Sequence, residues 1–184
     1  MKQKKKELIK RELRIGVKFL AVFLASYFIL SFIIKALIPM ASIEFFTAST
    51  TKLFLDLTGL QSTIVLNEPV MLIVNSQTFL ISELCTGLME LILIISAITA
   101  SLGIHWKKRL IGILFGIILI LIVNPLRIFI TILTYLNQPI EITTFVHDFL
   151  FRLTLFLLIA GYYSAWFYLS VRKELKKKRK REKS

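Results

Sequence analysis

A single cysteine, Cys85, stands in the whole 184-residue chain. Without a second thiol there is no internal disulfide, no C-x-x-C redox pair and none of the paired cysteines that a four-helix thiol oxidase requires. Histidine is almost as scarce, with only His105 and His147. Two are too few for a zinc site without carboxylate help, and neither lies in an H-E-x-x-H pattern. The seven glycines form no phosphate-cradling loop. Acidic residues number 11 against 24 Lys and Arg, and no fixed-period repeat runs through the chain. These scarcities lead us to expect no metal and no cofactor.

What the chain has instead is apolar length. Hydrophobic residues make up 56% of it and mean hydropathy is +0.75, beyond the range of an ordinary domain in water. Runs of about 20 apolar residues indicate membrane spans. Four are expected, at about 15–38, 84–104, 110–133 and 146–170, forming one all-α integral membrane domain over 1–184. The basic N-terminus resembles a signal peptide, but the apolar run behind it is too long for one and no small-residue cleavage site follows, so an anchor is expected.

Charge sets the orientation. Seven basic residues fall in tail 1–14, three in the connection Lys107–Lys108–Arg109, and nine in the tail 171–184. Four spans put all three segments on one side, which the positive-inside rule makes the cytoplasm. The expected protein is a multi-pass plasma-membrane protein with both termini cytoplasmic. Anionic headgroups account for the basic tails, so no nucleic-acid partner is expected.

The outer side receives 39–83 and 137–145. Residues 44–59 read as an amphipathic helix at the interface, with Phe45, Phe46, Leu53 and Leu57 toward lipid and Gly59 as the stop. Residues 62–82 read as a β-like strand–turn–strand of two short apolar runs, broken at Asn67-Glu68-Pro69 and Asn75-Ser76. This segment delivers the chain to Cys85.

Ionisable residues within spans are functional candidates by default. Three fall at a similar outer depth on different spans: Cys85 at the start of the second, Arg127 toward the end of the third, and His147 at the start of the fourth. A nucleophile, a cation and a base suit acyl transfer through a thioester. Cys85 would open a helix whose N-terminal dipole favours the thiolate. His147 would move the proton, and Arg127 would stabilise the thiolate or the oxyanion. Thr86 and Gly87 would offer free backbone N–H groups as an oxyanion hole, and Gly87 would let a substrate backbone approach closely. Each residue also has a structural reading: Cys85 as a small packing residue, Arg127 snorkelling to headgroups, Asn124-Pro125 as a kink with a capping amide, and His147 as an interfacial residue. A non-enzymatic assembly or scaffold subunit, or a small transporter with Arg127 and Glu90 along its path, are the competing functional readings.

At these residues the sequence resembles the exosortase/archaeosortase family of membrane transpeptidases. "ELCTG" at 83–87 is similar to that family's E-x-C-[AST]-G around its nucleophile. "NPLR" at 124–127 is similar to its N-x-x-R segment, and His147 falls where its third residue lies. The spacings of 42 and 20 residues also fit. The resemblance covers about 60–170 and implies catalytic Cys85, Arg127 and His147, supported by Glu83, Thr86, Gly87, Asn124 and Arg152. Some archaeal relatives carry Arg in place of the His, which is why Arg152, five residues on, enters that set. Glu90 is expected to pair with Arg127 or Arg152. The implied partners are exported proteins with a C-terminal motif, a transmembrane helix and a basic tail, cut on the outer face and passed to an acceptor such as an amine or a membrane lipid. Many members are longer, with about twice as many spans, so this chain would be a minimal form.

Overall fold

The computed structural model describes residues 2–181, without the side chains of 2–5, 8, 152, 155 and 173–181. The charged side chains of the expected tail from residue 173 onward therefore lie outside the described residues.

Helix α1 spans Lys2–Leu37. Pro39 stops it, because the residue before a proline is pushed out of the α region. The same Pro39 serves as N-cap of α2, Met40–Leu57. Helix α2 is amphipathic with its faces reversed relative to a helix in water. Phe45, Phe46, Leu53 and Leu57 are exposed, whereas Glu44, Thr47, Ala48, Thr51 and Leu55 are buried. Such a reversal suits an apolar surrounding. Its end is a Schellman motif: Gly59 N–H donates to Asp56 O and Leu60 N–H to Leu55 O, with Gly59 at φ +81°.

A three-stranded antiparallel sheet follows, ordered β1-β2-β3: Ser62–Val65, Val70–Val74 and Gln77–Ile81. The two apolar runs read from the sequence are thus three strands. Asn75 and Ser76, both at positive φ, form the two-residue hairpin turn that divides the second run in two. Val74 pairs with Gln77 across that turn. One face of the sheet packs on α2 and α4. Two polar links fasten it further: Val70 N–H donates to buried Glu44, and Lys52 donates to both Asp56 and Ser62 O. The Lys52 hydrogen bond, outweighing desolvation, holds the Asp56 carboxyl below its ordinary value. That clamp is present at neutral pH and weakens as pH falls through this depressed value.

A 3₁₀ turn, Glu83–Cys85, leads into α3, Leu88–Ala100. The expected span 84–104 is therefore shorter than read. Thirteen residues rise about 20 Å, less than a bilayer core of about 30 Å. The apolar run hides both ends, since Gly87 at φ +74° delays the helix and Gly103 at φ +87° turns the chain after it. Helix α4 spans Trp106–Asn137, longer than the expected 110–133, with Pro125 inside it. The expected span 146–170 lies within a helical stretch divided in three: α5, Ile140–Phe156; a π-helical turn, Leu157–Tyr162; and α6, Tyr163–Arg181. Among the described residues, two helical segments are long and apolar enough to cross a membrane, Ile9–Leu37 and Trp106–Asn137.

Helix α4 runs through two hydrophobic cores. Its first half joins Ile94 and Ile98 of α3, Leu158 of the π turn and Trp166 of α6 around Ile120. Its last turns join α2 and the sheet around Ile132, with Ile128 and Leu136. Between the cores lie Asn124, Pro125 and Arg127, all buried. Gly112 and Gly116 form a G-x-x-x-G on α4, the small-residue spacing that lets membrane helices approach closely. A Cβ on Gly112 would collide with the Trp166 indole, and one on Gly116 would sit 2.9 Å from Ile94 Cγ2. In the space so left, Tyr162 OH donates to Gly112 O and Trp166 Nε1 to Lys108 O. Gly112→Leu should therefore lower the thermal midpoint in detergent by overpacking, costing about 1–3 kcal/mol. Gly161→Ala, where nothing lies within 4 Å of the added carbon, should leave the midpoint unchanged.

Candidate active site

The polar layer between the cores is assembled from three directions. Pro125 has no N–H to donate, and Asn124 beside it turns its amide outward from α4. Asn124 Nδ2 donates to the Cys85 carbonyl at 2.7 Å. Gly87 makes that approach possible, because a Cβ there would stand 2.9 Å from Asn124 Cγ and 3.1 Å from Ile120 Cγ2. The sequence reading gave the bare side of Gly87 to a substrate backbone; the structure fills it with Asn124 and Ile120.

Cys85 itself is part-buried and has no disulfide partner. It does not open a helix as expected. It closes the 3₁₀ turn, three residues ahead of Leu88, where α3 begins. Its N–H donates to Ser82 O at 2.8 Å, and Ser82 Oγ lies 3.7 Å from its Sγ. The expected oxyanion hole is also altered. Thr86 N–H is taken by Glu83 O, as is the Thr86 hydroxyl. Gly87 N–H has no hydrogen-bond partner among the described residues. Glu83 pairs with Lys35 at the end of α1, 2.7 Å away, and is not among the residues lining the cleft described below.

One helical turn beyond Asn124, Arg127 is 5% exposed. Its guanidinium carbon lies 4.9 Å from the Phe151 ring of α5, and Nη1 lies 3.9 Å from Glu90 Oε1 of α3. The expected Glu90–Arg127 pairing is present at the outer limit of ion-pair distance, and Glu90 is itself buried. A buried cation between a carboxylate and an aromatic face is partly compensated. Arg127 Nη1 still makes no hydrogen bond among the described residues. The Arg152 side chain lies outside the described residues.

A cleft of about 120 Å³ gathers the three separated residues. Cys85, Arg127 and His147 line it together, with Phe79, Leu80 and Ile81 of β3 and Ile128, Thr131 and Ile132 of α4. His147 is half-exposed, and its Nδ1 lies 3.1 Å from Asp148 Oδ1. The β3 residues, Thr131 and Phe151 were not singled out by the sequence. The signal that led toward β3 was the β-like segment 62–82, read as delivering the chain to Cys85. Among the described residues, no group of three or more His, Cys, Asp or Glu side chains could hold a metal ion.

The family model described as Transmembrane exosortase (EpsH) matches residues 12–172. The chain belongs to the transmembrane exosortase family. This exosortase is accordingly a membrane protein, of a family that acts on exported proteins bearing C-terminal sorting signals and is generally a cysteine transpeptidase. No curated protein and no solved structure matches it significantly.

The contact through Gly87 has a measurable signature. Asn124→Ala leaves the Cys85 carbonyl unpaired and should cost this exosortase about 1–3 kcal/mol of stability. Gly87→Ala should also destabilise it, and that penalty should shrink in the Asn124→Ala background without vanishing, because the positive φ remains. Thermal unfolding of the four chains in detergent gives the coupling energy.

Proposed function

We propose that this exosortase cuts the C-terminal sorting signal of exported proteins by attack of Cys85, and passes the acyl group to an acceptor. The observation that carries the reading is the shared cleft, where Cys85, Arg127 and His147 from three separate elements line one space.

The Cys85 thiolate attacks the scissile carbonyl carbon and the C=O pair moves onto oxygen. Arg127 is buried and offers an unused N–H to that oxyanion, with leverage raised by its low-dielectric surroundings. Gly87 N–H is a second candidate donor. His147 takes the thiol proton and returns it to the leaving amine as the C–N bond breaks. Donation of Nδ1–H to Asp148 leaves Nε2 as the acceptor. An acceptor amine, a lipid hydroxyl or water then attacks the thioester and releases Cys85.

The orientation is part of the proposal. With Lys107, Lys108 and Arg109 at the cytoplasmic face, Asn124 lies 18 residues up α4 from Trp106, or about 27 Å. That is close to the outer limit of a core about 30 Å thick, so the Cys85 turn sits at the outer boundary. The rest of α4 rises beyond it and carries α2 and the sheet outside. Four passes follow, by α1, the short α3, α4 and the α5–α6 stretch. An irregular turn at this depth is tolerated because it borders a polar cleft within protein.

The test is C-terminal sequencing of exported proteins in cells carrying the wild-type chain or a variant. Cys85→Ala should abolish trimming of those ending in a transmembrane helix and basic tail, at unchanged protein level. His147→Ala should slow it by about 10²–10⁴-fold. Normal trimming in Cys85→Ala contradicts the proposal.

A further inference from the structure

We infer that the free edge of β3 binds the extended stretch of the substrate that carries the scissile bond, as an added fourth strand laid across the cleft toward Cys85. This rests on the function proposed above and specifies how its substrate is held.

Among the described residues, strand β3 lies at the edge of the sheet and pairs only with β2. Side chains along a strand alternate between faces. Phe79, Leu80 and Ile81, from both faces, nevertheless all line the same cleft, and the feature those consecutive residues share is the strand's edge. The hairpin register says which groups point there. Beyond a two-residue turn the closing pair is hydrogen-bonded. Gln77, Phe79 and Ile81, opposite Val74, Leu72 and Val70, therefore direct their N–H and C=O groups to β2. Thr78 and Leu80 direct theirs outward.

The opposite edge is closed by the same logic. In β1 the outward groups belong to Ser62 and Ile64, and the Ser62 carbonyl accepts a hydrogen bond from Lys52 Nζ at 2.7 Å. Edge strands are ordinarily blocked by such a lysine, a proline or a bulge. Strand β3, "QTFLI", carries no charge and no proline. Arg127, which lines the same cleft, is buried, and its Nη1 makes no hydrogen bond among the described residues. An extended peptide supplies what both lack, with N–H and C=O groups for Thr78 and Leu80 and a carbonyl toward Arg127. Main-chain pairing of this kind recognises shape and extension more than side chains. It brings the peptide alongside a strand that reaches Cys85 four residues after Ile81.

The probe is a synthetic peptide spanning the cut site of a host protein whose C-terminus is trimmed in cells with the wild-type chain and left long in cells with Cys85→Ala. Full-length exosortase in detergent is assayed on that peptide N-methylated at one backbone position at a time. Cleavage should fall roughly tenfold or more at alternate positions on one side of the cut and stay near normal at those between. Leu80→Pro, which removes one outward N–H, should reduce cleavage comparably. A methylation profile without a two-residue period overturns the inference and leaves the proposed function standing, and it does so on the wild-type chain, where misfolding of Leu80→Pro has no bearing. If no host protein shows Cys85-dependent trimming, the function fails and the inference fails with it.

Discussion

The hydrogen bond from Asn124 to the carbonyl of Cys85 ties an irregular turn to a rigid helix, and the candidate site depends on it. A turn between a sheet and a short helix has several ways to lie. The Asn124 amide selects one, and Gly87 permits it by having no Cβ. Because Arg127 follows Asn124 by a single helical turn, the bond that positions the thiol also fixes its distance from the cation. Pro125, between them, removes one backbone donor from α4 where side chains need the room.

The two cores explain why a polar layer can exist at that height. Below it, α4 is welded to α3, the π turn and α6 by the two glycines and the aromatic side chains that fill them. Above it, the same helix is held by the sheet and α2. Two well-packed cores stabilise the fold on either side, so the layer between can carry a buried Arg127–Glu90 pair that adds little stability of its own. Glu90 acquires a physical account here. It lies where the Arg127 charge would otherwise be unbalanced on the α3 side, while Phe151 covers the guanidinium from α5.

Much of this was legible in the sequence, and the remainder was hidden for identifiable reasons. Gly59 ended α2 as read, through a left-handed cap that only glycine adopts easily. The apolar side chains that α2 leaves exposed were found, and its buried stripe of Glu44, Thr47, Thr51 and Leu55 had a helical spacing that could have been read too. The trio of Cys85, Arg127 and His147 was chosen by residue chemistry, shared depth and the family resemblance, and the structure lines one cleft with it. Hydropathy misjudged α3, because an apolar run conceals where backbone turns begin and end. It gave no hint of the π turn, which is a matter of hydrogen-bond register. The open side of Gly87 was misassigned to a substrate because its neighbour, Asn124, lies 37 residues away. The third strand was missed because Asn75-Ser76 was read as a break within a run, although two positive-φ residues make a complete hairpin turn.

The central claim is that Cys85 becomes acylated by the exported chain it cuts. Intact-mass spectrometry of the exosortase, isolated from cells with a trimmed substrate and quenched in acid, tests this directly. The account predicts a hydroxylamine-labile adduct on Cys85 whose added mass equals that of the substrate fragment ending at the cut less one water. Trimming that proceeds with Cys85 unmodified, the adduct residing elsewhere or absent, would contradict it.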